Sequence, residues 1–178
     1  MALTLALVLG ASLLSRPGHA EGFSHSQIKA VYIYNFASFI RWNSGSFSEH
    51  PDEFHFCAYQ DNKEVTGALS EIIEGERINK RQLILRILDN KTDPQNCQIL
   101  FTGDRDFQTV APVRQQLLTV SDQLDFALSG GIIELQQQTN RIRPRINLDQ
   151  LGRAGLSASS QLLRISDRIS TNDLESHR

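Results

Sequence analysis

Phe54-His55-Phe56-Cys57-Ala58-Tyr59, then Val65 to Glu74, then Leu83-Ile84-Leu85-Arg86-Ile87-Leu88 decide the fold class. The first and third segments are short apolar runs, the pattern of strands buried on both faces. Between them Leu69, Ile72 and Ile73 mark one face of a short helix. The order repeats downstream. A loop from Asn90 to Asn96, broken by Pro94, leads into a third strand, Gln98 to Phe101. Residues 106–116 read as helical, with Pro112 as a boundary or kink. Leu117 to Val120 is a fourth strand. Strands alternating with helices predict an α/β fold with a mostly parallel sheet flanked by helices.

Upstream, Ser24 or Ser26 can cap a helix running to about Arg41. Ile28, Val31, Tyr32, Asn35, Phe36, Phe39 and Ile40 would share its buried face, with Asn35 bonded to backbone in the core. Asn43 to Glu53 is polar and reads as a loop. Downstream, Gly130-Gly131 frees the backbone for a turn or bulge at positive φ. Ile132 to Leu135 and Arg141 to Leu148 then form a C-terminal β-hairpin turning at Gln138-Thr139-Asn140. Ile142, Pro144, Ile146 and Leu148 share one face of the returning strand; Arg141, Arg143 and Arg145 share the other. Pro144 lacks an N–H, so this strand should lie at an edge or be bulged there. Asn147 or Asp149 caps a closing helix whose face carries Leu151, Gly155, Leu156, Ser159, Leu162, Leu163 and Ser166. The three arginines are either a solvated face that discourages edge pairing or a patch for an acidic partner. The groove over Gly155, Ala158 and Ser159 is either internal packing or part of a partner surface.

The chain has 178 residues, and one domain of residues 21–170 is long enough to bury a real core. Residues 1–20 read as a signal peptide, with an apolar run from Ala2 to Leu14 and small residues at Gly18 and Ala20. No Lys or Arg precedes that run. Residues 171–178 read as a flexible tail. Loss of the leader removes Arg16 and no acid, taking the formal net charge from −2 to −3. That balance gives no general attraction to nucleic acid. No later apolar run is long enough to cross a bilayer. In an exported protein the pair Cys57 and Cys97 reads as a disulfide. The five His residues are scattered, with no ligand spacing to either Cys, and no metal site is expected.

Searching for chemistry gives little. There is no Gly-x-Ser-x-Gly, no Walker sequence, no His-x-x-x-His and no Gly-x-Gly-x-x-Gly. Asp61, Asp104, Ser121 and Asp122 each follow a strand. If those strands are parallel, the four residues gather where open α/β sheets place ligands. Asp61, Asp104 and Asp122 could instead cap helices. An enzyme is not expected.

Tyr34-Asn-Phe-Ala-Ser-Phe-Ile-Arg-Trp42, Phe56 to Tyr59, Cys97 to Phe101 and the block Leu117 to Ile165 carry a resemblance to the YfiR-like family of bacterial periplasmic regulators. It covers about residues 27–166. Pro144 stands where an aromatic residue is expected, and Arg41 and Asn43 replace the acid and proline common around the tryptophan. A second C-terminal Cys pair found in some relatives is absent here. The resemblance implies binding rather than catalysis, with no cofactor. The expected partner is the periplasmic sensor region of an inner-membrane diguanylate cyclase, held inactive by the contact. An outer-membrane lipoprotein would sequester the repressor, and a homodimer is compatible with the pattern. The surface expected to bind is the arginine strand together with Gly155, Ser159, Leu162 and Leu163. The second reading is a small-molecule-binding module with its pocket at Asp61, Asp104, Ser121 and Asp122.

Overall fold

The computed structural model describes residues 22–60, 62–89, 92–103, 114–139 and 141–170. The leader, the tail, Asp61, Asp104 and most of the helix expected over 106–116 lie outside the described residues. The described end of that segment, Arg114 to Gln116, is a turn leading into a strand, not helix.

The fold is α/β, with one mostly parallel eight-stranded sheet. The strands are β2 (Glu53–Tyr59), β3 (Arg77–Ile78), β4 (Arg81–Leu88), β5 (Ile99–Phe101), β6 (Leu118–Ser121), β7 (Ile133–Gln138), β8 (Arg141–Asn147) and β10 (Asp167–Ile169), in the order β10-β8-β7-β6-β5-β2-β4-β3. From β7 across to β4 every pairing is parallel. The hairpin β7–β8 and the short β3–β4 pair are antiparallel. The β3–β4 link is Asn79-Lys80, both at positive φ, as a two-residue type I′ turn requires. Helix α1 (His25–Phe39) packs beside α2 (Lys63–Ile73) on one face of the sheet. Strands β1 (Ile40–Arg41) and β9 (Ser157–Ala158) form a separate two-stranded ribbon. Among the described residues no helix is long and apolar enough to cross a membrane.

Period-two alternation along β2 feeds two cores. Phe54, Phe56 and Ala58 enter the large cluster under α1 and α2, while Cys57 and Tyr59 face Leu88, Cys97, Leu100, Leu117 and Phe126 on the other side. Ser24 caps α1 in a reciprocal capping box with Gln27. The buried stripe of α1 is Ala30, Ile33, Phe36 and Ala37, continued by Ile40 in β1; of the face expected from the sequence, Phe36 and Ile40 belong to it, and Ile28, Tyr32 and Phe39 pack half-buried at its side. Val31 is exposed and Asn35 only half-buried. The helix is apolar nearly all round, so bulk did not mark the core side. The two alanines let its backbone approach the sheet closely.

The strand of Pro144 is not the expected edge strand, since β10 lies outside it, and its register with β7 runs through without a bulge. Asn147 donates its N–H to the carbonyl of Ile132, the residue before β7, so by alternation the nitrogen of Pro144 points away from β7. On that side β10 pairs only with Arg145 to Asn147, leaving no ladder bond for a proline to break. The closing helical region is built as two short helices, α3 (Leu148–Arg153) and α4 (Ser160–Ile165). Asn147 caps α3 and Ser159 caps α4. Gly155, at φ +70, ends α3: its N–H bonds Gly152, and the N–H of Leu156 bonds Leu151. These are the two bonds of a Schellman stop, with Leu151 and Leu156 both buried.

Candidate functional site

The arginine face of β8 is the face on which β7 carries Glu134, Gln136 and Gln138, since Arg145, Arg143 and Arg141 lie opposite them in register. Glu134 is fully buried. One of its oxygens accepts the N–H of Ala127 at 3.2 Å; the other accepts from Gln136 at 3.1 Å and lies 3.6 Å from the Arg145 guanidinium. Arg145 also reaches Asp125 at 3.9 Å. A buried carboxylate needs such partners, so Arg145 is committed inside the fold. Arg143 pairs with Asp167 of β10 at 3.0 Å, and Arg141 is exposed.

Between β8, α4 and β10 lies an open cleft of about 720 Å³. It is lined by Arg143, Arg164, Arg168, Asp167, Leu163, Ser160 and Ser166. Three guanidinium groups against one carboxylate make its rim basic, and Leu163 gives it an apolar floor. The Nε of Arg143 is buried with no hydrogen-bond partner among the described residues. Two of the expected partner-binding residues, Arg143 and Leu163, therefore meet here. Arg164 and Arg168 join them unanticipated, because only folding brings β10 alongside β8.

The other expected surface residues behave differently. Leu162 is completely buried and belongs to the core, so it is not a contact residue. It occupies the inward side of α4, where half-buried Leu163 is its outward neighbour. Ser159 is held as the cap of α4, with its N–H bonded to Phe39 at 2.8 Å. The space over Gly155 is filled from within: Gln115 bonds the carbonyl of Arg153, and Gln116 those of Ala154 and Gly155. Gln116 also accepts from the N–H of Asn43 at 3.0 Å. Gly155 remains exposed beside these glutamines, and neither it nor Ser159 lines the cleft.

A second place of interest is the C-terminal edge of the parallel strands. From β2 the chain passes to β4 on one side, while β5 lies on the other, so the strand order reverses between β2 and β5. Asn62 follows β2 and lies directly over Gly103, which follows β5. A Cβ at Gly103 would fall 1.7 Å from the Asn62 amide nitrogen. Ser121 is buried, donating to the Gly103 carbonyl at 2.7 Å and accepting from the N–H of Gln123. Asp122 forms an ion pair with Lys29 of α1. A cleft of about 370 Å³ opens here, lined by Ser26, Lys29, Asn62, Lys63, Glu64 and Asp122 among others. Asn62 Nδ2 and Asp122 Oδ1 are buried without hydrogen-bond partners among the described residues. Ser121 and Asp122 therefore do lie at this edge.

Cys57 and Cys97 form a disulfide, with Cα atoms 5.9 Å apart. It joins the middle of β2 to the segment that leads into β5, the strand paired beside it. The YfiR/HmsC-like family model matches residues 26–167, from the first turn of α1 to the first residue of β10. The chain belongs to the YfiR/HmsC-like family. No curated protein matches it. The family match takes in the disulfide, the hairpin and both candidate clefts, except Arg168 of the basic one.

Proposed function

We propose that this protein is a periplasmic negative regulator of an inner-membrane diguanylate cyclase. It binds the cyclase's periplasmic sensor region, holds the cytoplasmic catalytic domains inactive and so lowers cyclic di-GMP signalling and biofilm formation. The observation that carries this reading is the YfiR/HmsC-like match over residues 26–167. The Cys57–Cys97 disulfide supports it, because such bonds persist in the oxidising periplasm, which a leader at residues 1–20 would reach. The protein acts by binding rather than catalysis. The contact surface is the basic cleft of Arg143, Leu163, Arg164 and Arg168, with exposed Arg141 beside it, and it suits an acidic segment of the sensor region. An outer-membrane lipoprotein competing for the repressor would relieve the block, and a homodimer would leave this cleft on each copy.

The test is cellular cyclic di-GMP with and without the gene, complemented by the exported protein. Deletion should raise the nucleotide, complementation should lower it again, and Arg164→Glu with Arg168→Glu should fail to complement while folding normally. Unchanged cyclic di-GMP on deletion under several growth conditions would overturn the reading.

A second reading, that a small molecule binds at the C-terminal strand ends and tunes repression, is favoured by the unpartnered Asn62 and Asp122 atoms at the point of strand reversal. Its test is a metabolite screen by thermal shift. A hit that Asn62→Ala and Asp122→Ala both abolish supports it, and a screen without such a hit removes it.

A further inference from the structure

At the opposite, N-terminal end of β2 lies a cluster that neither candidate cleft uses. Glu53 and His55 are two residues apart on a strand, so their side chains leave the same face. The turn through Pro51 and Asp52 brings His50 back over them, with the N–H of Glu53 bonded to the carbonyl of His50 at 3.2 Å. Glu53 Oε2 lies 2.6 Å from His55 Nε2 and 3.5 Å from His50 Nδ1. One ligand-type atom from each of the three residues falls within 4.8 Å of the other two. His55 is buried, while His50 and Glu53 reach solvent.

The surroundings of His55 restrict what this cluster can be. Its Nδ1 is 3.0 Å from the backbone carbonyl of Asn96. A carbonyl only accepts, so Nδ1 carries the proton, and in a neutral ring Nε2 then presents its lone pair. That lone pair faces a carboxylate oxygen at 2.6 Å. Two such atoms repel unless a cation lies between them, and a proton or a metal ion can fill that place. An Nδ1–H fixed on a backbone carbonyl is also the outer-sphere arrangement that orients metal-bound imidazoles. Asn96 is itself held by Glu49 at 2.5 Å, and its neighbour Cys97 is tied to β2 by the disulfide.

We propose that His50, Glu53 and His55 form a binding site for one divalent transition ion of the zinc class. The protein ligands are His50 Nδ1, a Glu53 carboxylate oxygen and His55 Nε2, and water completes the shell from the exposed side. Two imidazoles and one carboxylate suit Zn²⁺, Ni²⁺ or Cu²⁺ rather than Mg²⁺ or Ca²⁺, which require oxygen donors. Tetrahedral ligation at about 2.0–2.1 Å from the metal spaces ligand atoms about 3.3 Å apart. Glu53 must therefore withdraw by under about 1 Å from His55, which its half-exposed side chain is free to do. The metal–Nε2 bond replaces the cation that otherwise separates the pair, and any proton there leaves to solvent.

The test uses untagged, oxidised protein stripped with chelator, titrated with ZnCl2 by calorimetry and scanned for thermal unfolding. We expect one Zn²⁺ per chain, a raised melting temperature, and no response to Mg²⁺. His50→Ala and Glu53→Gln should each weaken Zn²⁺ binding at least about tenfold. His50 is exposed, so its variant should keep the metal-free melting temperature. His25→Ala, exposed at the start of α1, which meets Glu64 beyond the opposite end of β2 from the cluster, should bind as the parent does. No binding up to millimolar Zn²⁺, or binding that survives both His50→Ala and Glu53→Gln, overturns the proposal.

Discussion

Reduction of Cys57–Cys97 should cost the protein a large share of its stability without dismantling its native sheet. The bridge spans 40 residues of sequence. On the chain-entropy account, opening a loop of that length releases about 13 cal/mol/K to the unfolded chain, or about 4 kcal/mol at 25 °C. The native state gains little from the bond, because β2 and β5 are already paired in register and both cysteines are buried in one small apolar cluster. For a chain of this size, 4 kcal/mol corresponds to about 8–16 °C in melting temperature. Urea unfolding of oxidised and reduced protein measures the difference directly. The reduced form should also show a larger dependence on denaturant, since its unfolded chain expands further. Cys57→Ala with Cys97→Ala should match the reduced protein to within about 1 kcal/mol, because the bond and not thiol packing is the main loss. A reduced protein within about 1 kcal/mol of the oxidised one would refute the reasoning.

Three further outcomes follow from packing. Gly131→Ala would place its Cβ 2.1–2.5 Å from three ring atoms of buried Phe126, so it should cost about 1–3 kcal/mol in urea unfolding, with Phe126→Leu recovering part of the loss. Gly155→Ala should cost about 1 kcal/mol or more, because φ +70 disfavours a Cβ and Gln116 Nε2 lies 2.8 Å from where it would be. Leu162→Ala should destabilise by about 2–5 kcal/mol, as a core truncation does, whereas Leu163→Ala should leave the fold largely intact and, on the proposed function, weaken cyclase binding in a pull-down.

Strands β2, β4, β5, β6, β7 and β8, their order along the chain and the disulfide were legible in the sequence, because a buried strand is a short apolar run whatever surrounds it; β1, β3, β9 and β10, two or three residues each, carry too little pattern to be read. The helix faces were less so. In α1 nearly every turn offers apolar residues on both sides, and the small Ala30 and Ala37 that decide the packing carry little signal. The closing region was read as one helix because Leu151, Leu156, Leu162 and Leu163 keep a helical spacing through Gly155, which in fact stops α3. Gly131 was expected to serve a backbone turn, yet only Gly130 has positive φ; Gly131 makes room for a phenyl ring. Gln115 and Gln116, which tie down the end of α3, leave no pattern at all, since amide side chains acquire their meaning only from the carbonyls they reach. For the same reason the arginine strand could not be divided beforehand into committed Arg145 and cleft-facing Arg143.

The metal cluster was missed because ligand spacing was sought toward the cysteines, whereas a turn and a strand period bring His50, Glu53 and His55 together. Its position beside Cys97 separates two roles that the disulfide and the hydrogen bonds could share. His55 is held to the 96–98 segment at three points: its N–H donates to the Gln98 side chain at 2.7 Å, its carbonyl accepts the Gln98 N–H at 3.0 Å, and Nδ1 meets Asn96. Those bonds belong to the folded state, while the disulfide acts mainly on the unfolded one. Folded Cys57→Ala/Cys97→Ala protein, which also has no free thiol to capture zinc, should therefore bind Zn²⁺ within about threefold of the parent while melting far earlier. Calorimetry well below its melting temperature makes that comparison. A loss of tenfold or more, comparable to removing an outer-sphere partner, would show that the bridge itself aligns Asn96 with His55, and metal occupancy would then depend on the redox state of the compartment.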